Sequence, residues 1–380
     1  MTQDPASVRP VVSDRLAERV DELLLELCSI PSPSGSEGAV RDRVATIAAG
    51  AGFSERYIDD AGNLWLGRSD SAAGPRTVLC GHLDTVEHTG IEIVPVLVDD
   101  GWENANEAIL GADNKAALAV MLAAAEELNR TRPDLLHTVE LLFTTGEEQA
   151  LEGAKQLDPE RLRDASVFIY DHATPIGEVI AAAPSYFRID ASFEGKAAHA
   201  GISPEHGRSA VRAAARAVAS MPHGRIDAGT TANAARVDGG ALAGTNIVPA
   251  RCDVRCEVRS LDPARATEVV QQVTDAFQDA AGQPGEECDL VITTELQFAA
   301  YRHEPKSPLV ARVSEALDRC GHGVRLIESG GGSDANALMA MGVPAICVAN
   351  GTEHPHEPTE RVSRSALRDM TAFTLALLGA

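Results

Sequence analysis

The alternation of apolar and polar positions along the chain predicts an α/β fold. Apolar residues at helical spacing mark helices over Asp14–Cys28 and 116–129, and short dense apolar runs mark strands at 77–79, 138–143 and 166–170. Strands separated by helices build a sheet covered on both faces, and sites on such sheets gather at the carboxyl ends of the strands. After Ala183 the pattern changes. SYFRIDASFEG, a helix over 209–220, the alternating ARCDVRCEVRS and a helix over Pro263–Ala281 read as strand, helix, strand, strand, helix, strand. That order predicts a small open-faced α+β sandwich over 184–297, a candidate lid, inserted into a larger domain formed by 1–183 and 298–380. From about Ala300 the α/β pattern resumes, with a helix over Pro308–Cys320 and a strand over 345–348.

Composition narrows the function classes. The 380 residues exceed the usual ceiling for one hydrophobic core, and at 44% apolar they can fill two. No run approaches the roughly 18 apolar residues that cross a bilayer, and residues 1–15 lack the charged-then-apolar order of a secretion signal, so a cytoplasmic location is expected. The seven cysteines sit mostly in apolar runs such as LLLELCSI and PAICVAN, as reduced core thiols do. A net charge of −23, from 33 basic and 56 acidic residues, repels phosphates and excludes nucleic acid and anionic membranes as partners.

Candidate chemistry lies in four strings that follow apolar runs: GHLDT at Gly81 to Thr85, GADNK at Gly111 to Lys115, TTGEEQ at Thr144 to Gln149, and NGTEHPHEPTE at Asn350 to Glu360. Together they offer the carboxylates and imidazoles of a pair of divalent metals, which points to metal-assisted hydrolysis. His82 can bind a metal while Asp84 holds its other ring nitrogen. Asp113, ahead of a long helix, is either an N-cap or a carboxylate bridging two cations. Of the adjacent pair Glu147 and Glu148, one can ligate while the other acts as general base. Either Asp171 or His172 can ligate after the strand VFIY. At the far end His356 is preferred because Glu360, four residues on, can orient it, with His354 as the fallback. The remaining histidines, His88, His137, His206, His223, His303 and His322, read as surface or structural residues.

GHLDT, GADNKAALA, TTGEEQALEGAK, GKAAHAGISPEHGRSA, TNIVPA and GGGSDANAL, in this order, resemble the zinc metallopeptidase family of peptidase T, glutamate carboxypeptidase and the aminoacylases, above all its peptidase T-like members. The resemblance runs from about residue 77 to about 362. It implies an α/β catalytic domain with a mixed sheet covered by helices, and an inserted ferredoxin-like α+β domain for lid closure or dimerisation. It further implies one metal on His82, Asp113 and Asp171, a second on Asp113, Glu148 and His356, and a cis peptide bond between Asp113 and Asn114. Glu147 matches the general base and Asp84 the residue that orients the first histidine. His199 matches the histidine that stabilises the oxyanion, often from the partner subunit of a dimer. Asn246, Arg259, Gly331 and Gly332 match the family's grip on substrate carboxylate or carbonyl groups.

The activity so implied is hydrolysis of amide bonds in small peptides with two divalent ions, zinc first and cobalt or manganese as alternatives. Aspartate at 171 favours the aminopeptidase branch. The competing expectations are an N-acyl amino acid deacylase or carboxypeptidase using the same site, and a peptide-binding homologue without turnover.

Overall fold

The computed structural model describes residues 10–71, 74–87, 90–240 and 244–380, and His88 lies outside them. Two compact units emerge, one formed by Met1–Ala181, Arg302–Glu328 and Ser333–Ala380, the other by Ala182–Tyr301 and Ser329–Gly332.

The first unit is built on a nine-stranded mixed sheet. Its middle is four parallel neighbours, in the order Val139–Thr144, Arg76–His82, Ala165–His172 and Ala345–Ala349. These strands carry near-continuous buried apolar runs, as expected of parallel strands covered on both faces. Antiparallel strands Leu64–Gly67 and Glu178–Ala183 flank them. The helix Ala112–Thr131 is buried on nearly every face because Asp14–Cys28, Gly38–Gly50 and Arg364–Leu377 all pack against it, and its alanines allow that close approach. Helix starts follow side-chain caps. Ser13 accepts from Leu16 N–H ahead of Asp14–Cys28, and Ser307 accepts from Val310 N–H ahead of Pro308–Cys320.

A small four-stranded sheet has no counterpart in the sequence reading. In it, Thr352–Glu353 and Arg361–Ser363 form a hairpin whose second strand pairs with Gly101–Asn104, which in turn pairs with Pro95–Val98. Strands of two to four residues are too short to show a period. This hairpin carries His354, His356 and Glu360.

The second unit is a five-stranded antiparallel sheet ordered Gly224–Asp227, Thr230–Gly239, Arg251–Ser260, Ser185–Glu194 and Asp289–Phe298. One strand more is present than the sequence pattern predicts, because the short edge strand Gly224–Asp227 turns only Ile226, half-buried, to the core and so leaves no apolar period. Helices Ala210–Ser220 and Pro263–Ala281 cover one face. Phe193 and Phe277 pack there with tilted rings, 5.8 Å between centroids, among Ile189, Val254, Val258 and Val273. The other face is polar: along Arg251–Ser260 every second residue is buried, and Arg251, Asp253, Arg255, Glu257 and Arg259 point the opposite way. Truncating the fully buried Phe277 removes the filling of this second core. Phe277→Ala is expected to destabilise the unit by about 3–5 kcal/mol, read by circular dichroism in a urea titration, and a loss below about 1 kcal/mol would contradict the packing described.

Candidate dinuclear metal centre

The carboxyl ends of the four parallel strands deliver the site. His82 ends Arg76–His82, Asp171 lies in the last turn of the pleat of Ala165–His172, and Val139–Thr144 leads through the left-handed Gly146 (φ 59°) into a short helical turn at Glu147–Gln149. Ala345–Ala349 runs out at Asn350, from which the hairpin carries His356 back. Asp113 enters from the first turn of Ala112–Thr131. Its backbone is non-helical (φ −82°, ψ 102°), Gly111 (φ 76°) precedes it, and the Asp113–Asn114 peptide bond is cis, as the family resemblance implies. No side-chain cap bond is made at this helix start among the described residues, so the structure does not show the capping role.

What the carboxylate of Asp113 does instead is face two imidazoles with its two oxygens. Oδ1 is 3.6 Å from His82 Nε2, and Oδ2 is 3.5 Å from His356 Nε2. Asp171 Oδ1 lies 3.4 Å from His82 Nε2 and Glu148 Oε1 lies 2.8 Å from His356 Nε2. Two ligand sets therefore meet at one residue. Donor atoms of His82, Asp113 and Asp171 all lie within 4.8 Å of one another, and so do those of Asp113, Glu148 and His356. Glu147 brings a carboxylate oxygen within the same distance of His82 and Glu148. His354 joins none of these groups among the described residues. His172 turns to Glu178, with Nε2 at 2.7 Å, so Asp171 is the member of that pair that faces the cluster. His137 and His322 find acidic neighbours elsewhere, Asp70 at 3.5 Å and Asp369 at 3.3 Å.

One supporting role differs from the sequence reading. Glu360 does not orient His356: its buried carboxylate accepts the backbone N–H groups of Gly111 and Asp113, each at 2.8 Å, and so fixes the loop that presents Asp113. Asp84 meets His82 Nδ1, the ring nitrogen the sequence reading gives it, with its backbone oxygen at 3.0 Å and its carboxylate at 3.4 Å. The Asp84 carboxylate also accepts from the backbone N–H of Glu147 (3.1 Å) and Glu148 (3.2 Å) and from Ser34 Oγ (2.7 Å), tying the acidic pair to the histidine. Two amides went unnoticed in the sequence. Asn350 Nδ2 donates to Asp113 Oδ1 at 3.1 Å, and Asn114 Nδ2 donates to the Tyr170 carbonyl at 2.6 Å and to Asp171 Oδ1 at 3.2 Å. Gly81 makes room for the latter, since a Cβ there would sit 2.6 Å from Asn114 Oδ1. Asp334, in GGGSDANAL, is buried and accepts from Thr144 Oγ1 at 2.5 Å.

The electrostatics of the cluster favour cations. Burial, with the charges of Asp171 and other carboxylates behind it, holds the Glu147 carboxyl well above its ordinary range, and burial likewise pushes Asp171 up to about 6. For His356, contacts with Asp113 and Glu148 outweigh burial and raise the imidazole to about 10. Carboxylates that draw protons onto an imidazole draw divalent metals by the same field. The donor set fits such ions on a further count: His82 Nε2 and Glu148 Oε1 are buried without an aligned hydrogen-bond partner among the described residues, an expensive state that a coordinated ion relieves.

The sequence profile of peptidase family M20/M25/M40 matches residues 78–380. The chain belongs to this family. A curated member-like relative, the uncharacterized protein YqjE of Bacillus subtilis, is 32% identical over 369 residues, covering 95% of this chain and 98% of its own. Among solved structures, the aminopeptidase PepT of Bacillus cereus superimposes with a TM-score of 0.81 at 32% identity, over 95% of this chain and 98% of that one. A tripeptidase of Staphylococcus aureus does so with a TM-score of 0.86 at 29% identity, over 95% and 97%. The α/β architecture and the metallopeptidase class read from the motifs are those of the M20/M25/M40 family, and the two ligand sets around Asp113 form its candidate dinuclear centre.

The remaining residues named from the resemblance lie in the second unit. His199 is exposed, and its Nδ1 accepts from Gly201 N–H at 3.2 Å. A β-bridge between His199 and Ile247 and the Ala200 N–H to Asn246 O bond (2.8 Å) bring His199 beside Asn246. Arg259 is paired with Glu257, and Gly331 and Gly332 lie in the turn after Ser329.

Removing the Glu360 carboxylate unpairs two backbone donors beneath Asp113. Glu360→Ala is expected to weaken metal retention by roughly 10–100-fold, measured as metal content by mass spectrometry after dialysis against a graded chelator. Retention equal to that of the unaltered protein would contradict this role.

Proposed function

We propose that this member of the M20/M25/M40 family is a peptidase T-like aminopeptidase that cleaves small peptides such as tripeptides, with two divalent ions, zinc before cobalt or manganese. The observation that carries the reading is the Asp113 carboxylate, whose two oxygens address two separate ligand sets. His82 and Asp171 would complete one set, and Glu148 and His356 the other. Ions held there supply Lewis acidity toward the amide carbonyl and acidify water near neutral pH.

The chain's own residues divide the remaining work. Glu147, high in proton affinity and next to both ligand sets, accepts the proton of the attacking water and delivers it to the leaving amine. His199 stabilises the developing oxyanion through Nε2: because Nδ1 accepts from Gly201, the neutral ring carries its proton on Nε2. Its exposure suits service to a partner subunit, so a homodimer through the insert belongs to the same proposal. Arg259 grips the substrate carboxylate with its planar fork, while Asn246 and the backbone of Gly331 and Gly332 hold carbonyl groups. The seven cysteines, all free and buried, support a reducing cytoplasmic setting, and no described helix is long and apolar enough to cross a membrane.

An N-acyl amino acid offers Arg259 the same carboxylate, so a tripeptide panel run beside N-acyl amino acids separates deacylase from peptidase. The base assignment is tested independently. Glu147→Gln is expected to retain both metals and to lose roughly 10²–10⁴-fold in kcat. Unchanged turnover at full metal content would remove Glu147 from the mechanism.

A further inference from the structure

In the second unit, three side chains stand in one row across the sheet. Arg259 is the cross-strand partner of Tyr186, and Tyr186 is in turn the partner of Phe298. The Arg259 guanidinium lies over the Tyr186 ring, 4.4 Å from its centroid, and 6.0 Å from that of Phe298. Tyr186 and Phe298 meet edge to face, with centroids 5.4 Å apart and planes at 64°. The Phe298 ring then closes against Gly332, where a Cβ would come within 2.3 Å of the ring. Cation, ring, ring and glycine turn thus form a single packed column. Neighbouring arginines on the same polar face, Arg188 and Arg255, pair with carboxylates instead and lie over no ring among the described residues.

The donors of Arg259 are unevenly used. Glu257 Oε2 takes the Nε and Nη2 edge, at 3.4 and 3.2 Å. The opposite edge, formed by Nη1 and the second proton of Nη2, has no partner among the described residues, and that edge matches a carboxylate with two parallel bonds. Stacking fixes the plane in which the edge is presented, which lowers the ordering cost a ligand meets on binding. The adjacent Glu257 anion partly offsets the guanidinium charge.

We propose that Tyr186 and Phe298 are positioning residues that seat Arg259 as the reader of the peptide's free C-terminal carboxylate, and that Glu257 sets how strongly it reads. This rests on the assignment of substrate carboxylate to Arg259 made above. The column explains why the turn at Gly332 has glycine, and it makes selection for a terminal carboxylate a property of four residues rather than one.

The test compares trialanine with its C-terminal amide on the metal-loaded full chain, the amide being followed as a competitive inhibitor where its turnover is too slow. Arg259→Gln is expected to collapse the preference for the free acid. Tyr186→Leu is expected to lower that preference roughly tenfold, through KM and with kcat nearly kept, while Tyr186→Phe, which retains the ring, keeps it. Glu257→Gln is expected to lower KM for the acid severalfold and leave the amide unchanged. Equal losses on acid and amide in Tyr186→Leu, or Tyr186→Phe as impaired as Tyr186→Leu, would overturn the aromatic seat. No change of preference in Arg259→Gln would sink the parent assignment to Arg259, and the seat with it; a change there without one in Tyr186→Leu would sink the seat alone.

Discussion

One carboxylate has to serve two imidazoles at once, and the architecture around it is organised to permit that. Asp113 can turn an oxygen to each of His82 and His356 because its backbone departs from the helix it begins, and because Glu360 anchors the N–H groups on its approach. Asn350 fixes Oδ1 from a third element. None of these contacts is strong alone, but each removes a freedom of the bridging group, and a dinuclear centre depends on how little that group can move.

The sheet makes the rest of the convergence inexpensive. Parallel strands end together, so His82, Asp171, the turn at Glu147 and the loop from Asn350 are neighbours by topology. Asp84 adds a second tie, since one carboxylate holds both the turn of Glu147 and Glu148 and the neighbourhood of His82. The arrangement buries several carboxylates side by side, which folding alone would disfavour. Their proton affinities are pushed apart as a result: Asp113 is held low, where its two histidines outweigh its burial, while Asp171 and Glu147 are raised. Such a split suits a division between ligand and base.

Much of this was legible before any coordinates, and the reasons are local. The helices Asp14–Cys28, Pro263–Ala281 and Pro308–Cys320 match their expected bounds because Ser13, Asp262 and Ser307 cap them and Pro263 and Pro308 start two of them. The residues that face one another in the cluster were legible through the family resemblance of their strings, since the residues alone leave Asp113 between cap and bridge and leave open the choice between Asp171 and His172. What escaped was whatever acts across distance without a local signature. Asn114 and Asn350 are amides that look like turn residues. Sequence proximity points Glu360 to His356, four residues away, yet its partners at Gly111 and Asp113 are nearly 250 positions away. The hairpin that carries His356 is built from strands too short to show a period, and the seat of Arg259 joins three strands whose pairing no pattern of single residues discloses.

The most direct test of the central claim is anomalous X-ray scattering at the zinc edge from crystals of the zinc-loaded protein. The account predicts two peaks, one ligated by His82 and Asp171 and the other by Glu148 and His356, with the Asp113 carboxylate coordinating both. A single peak, or two peaks without Asp113 in common, would contradict it.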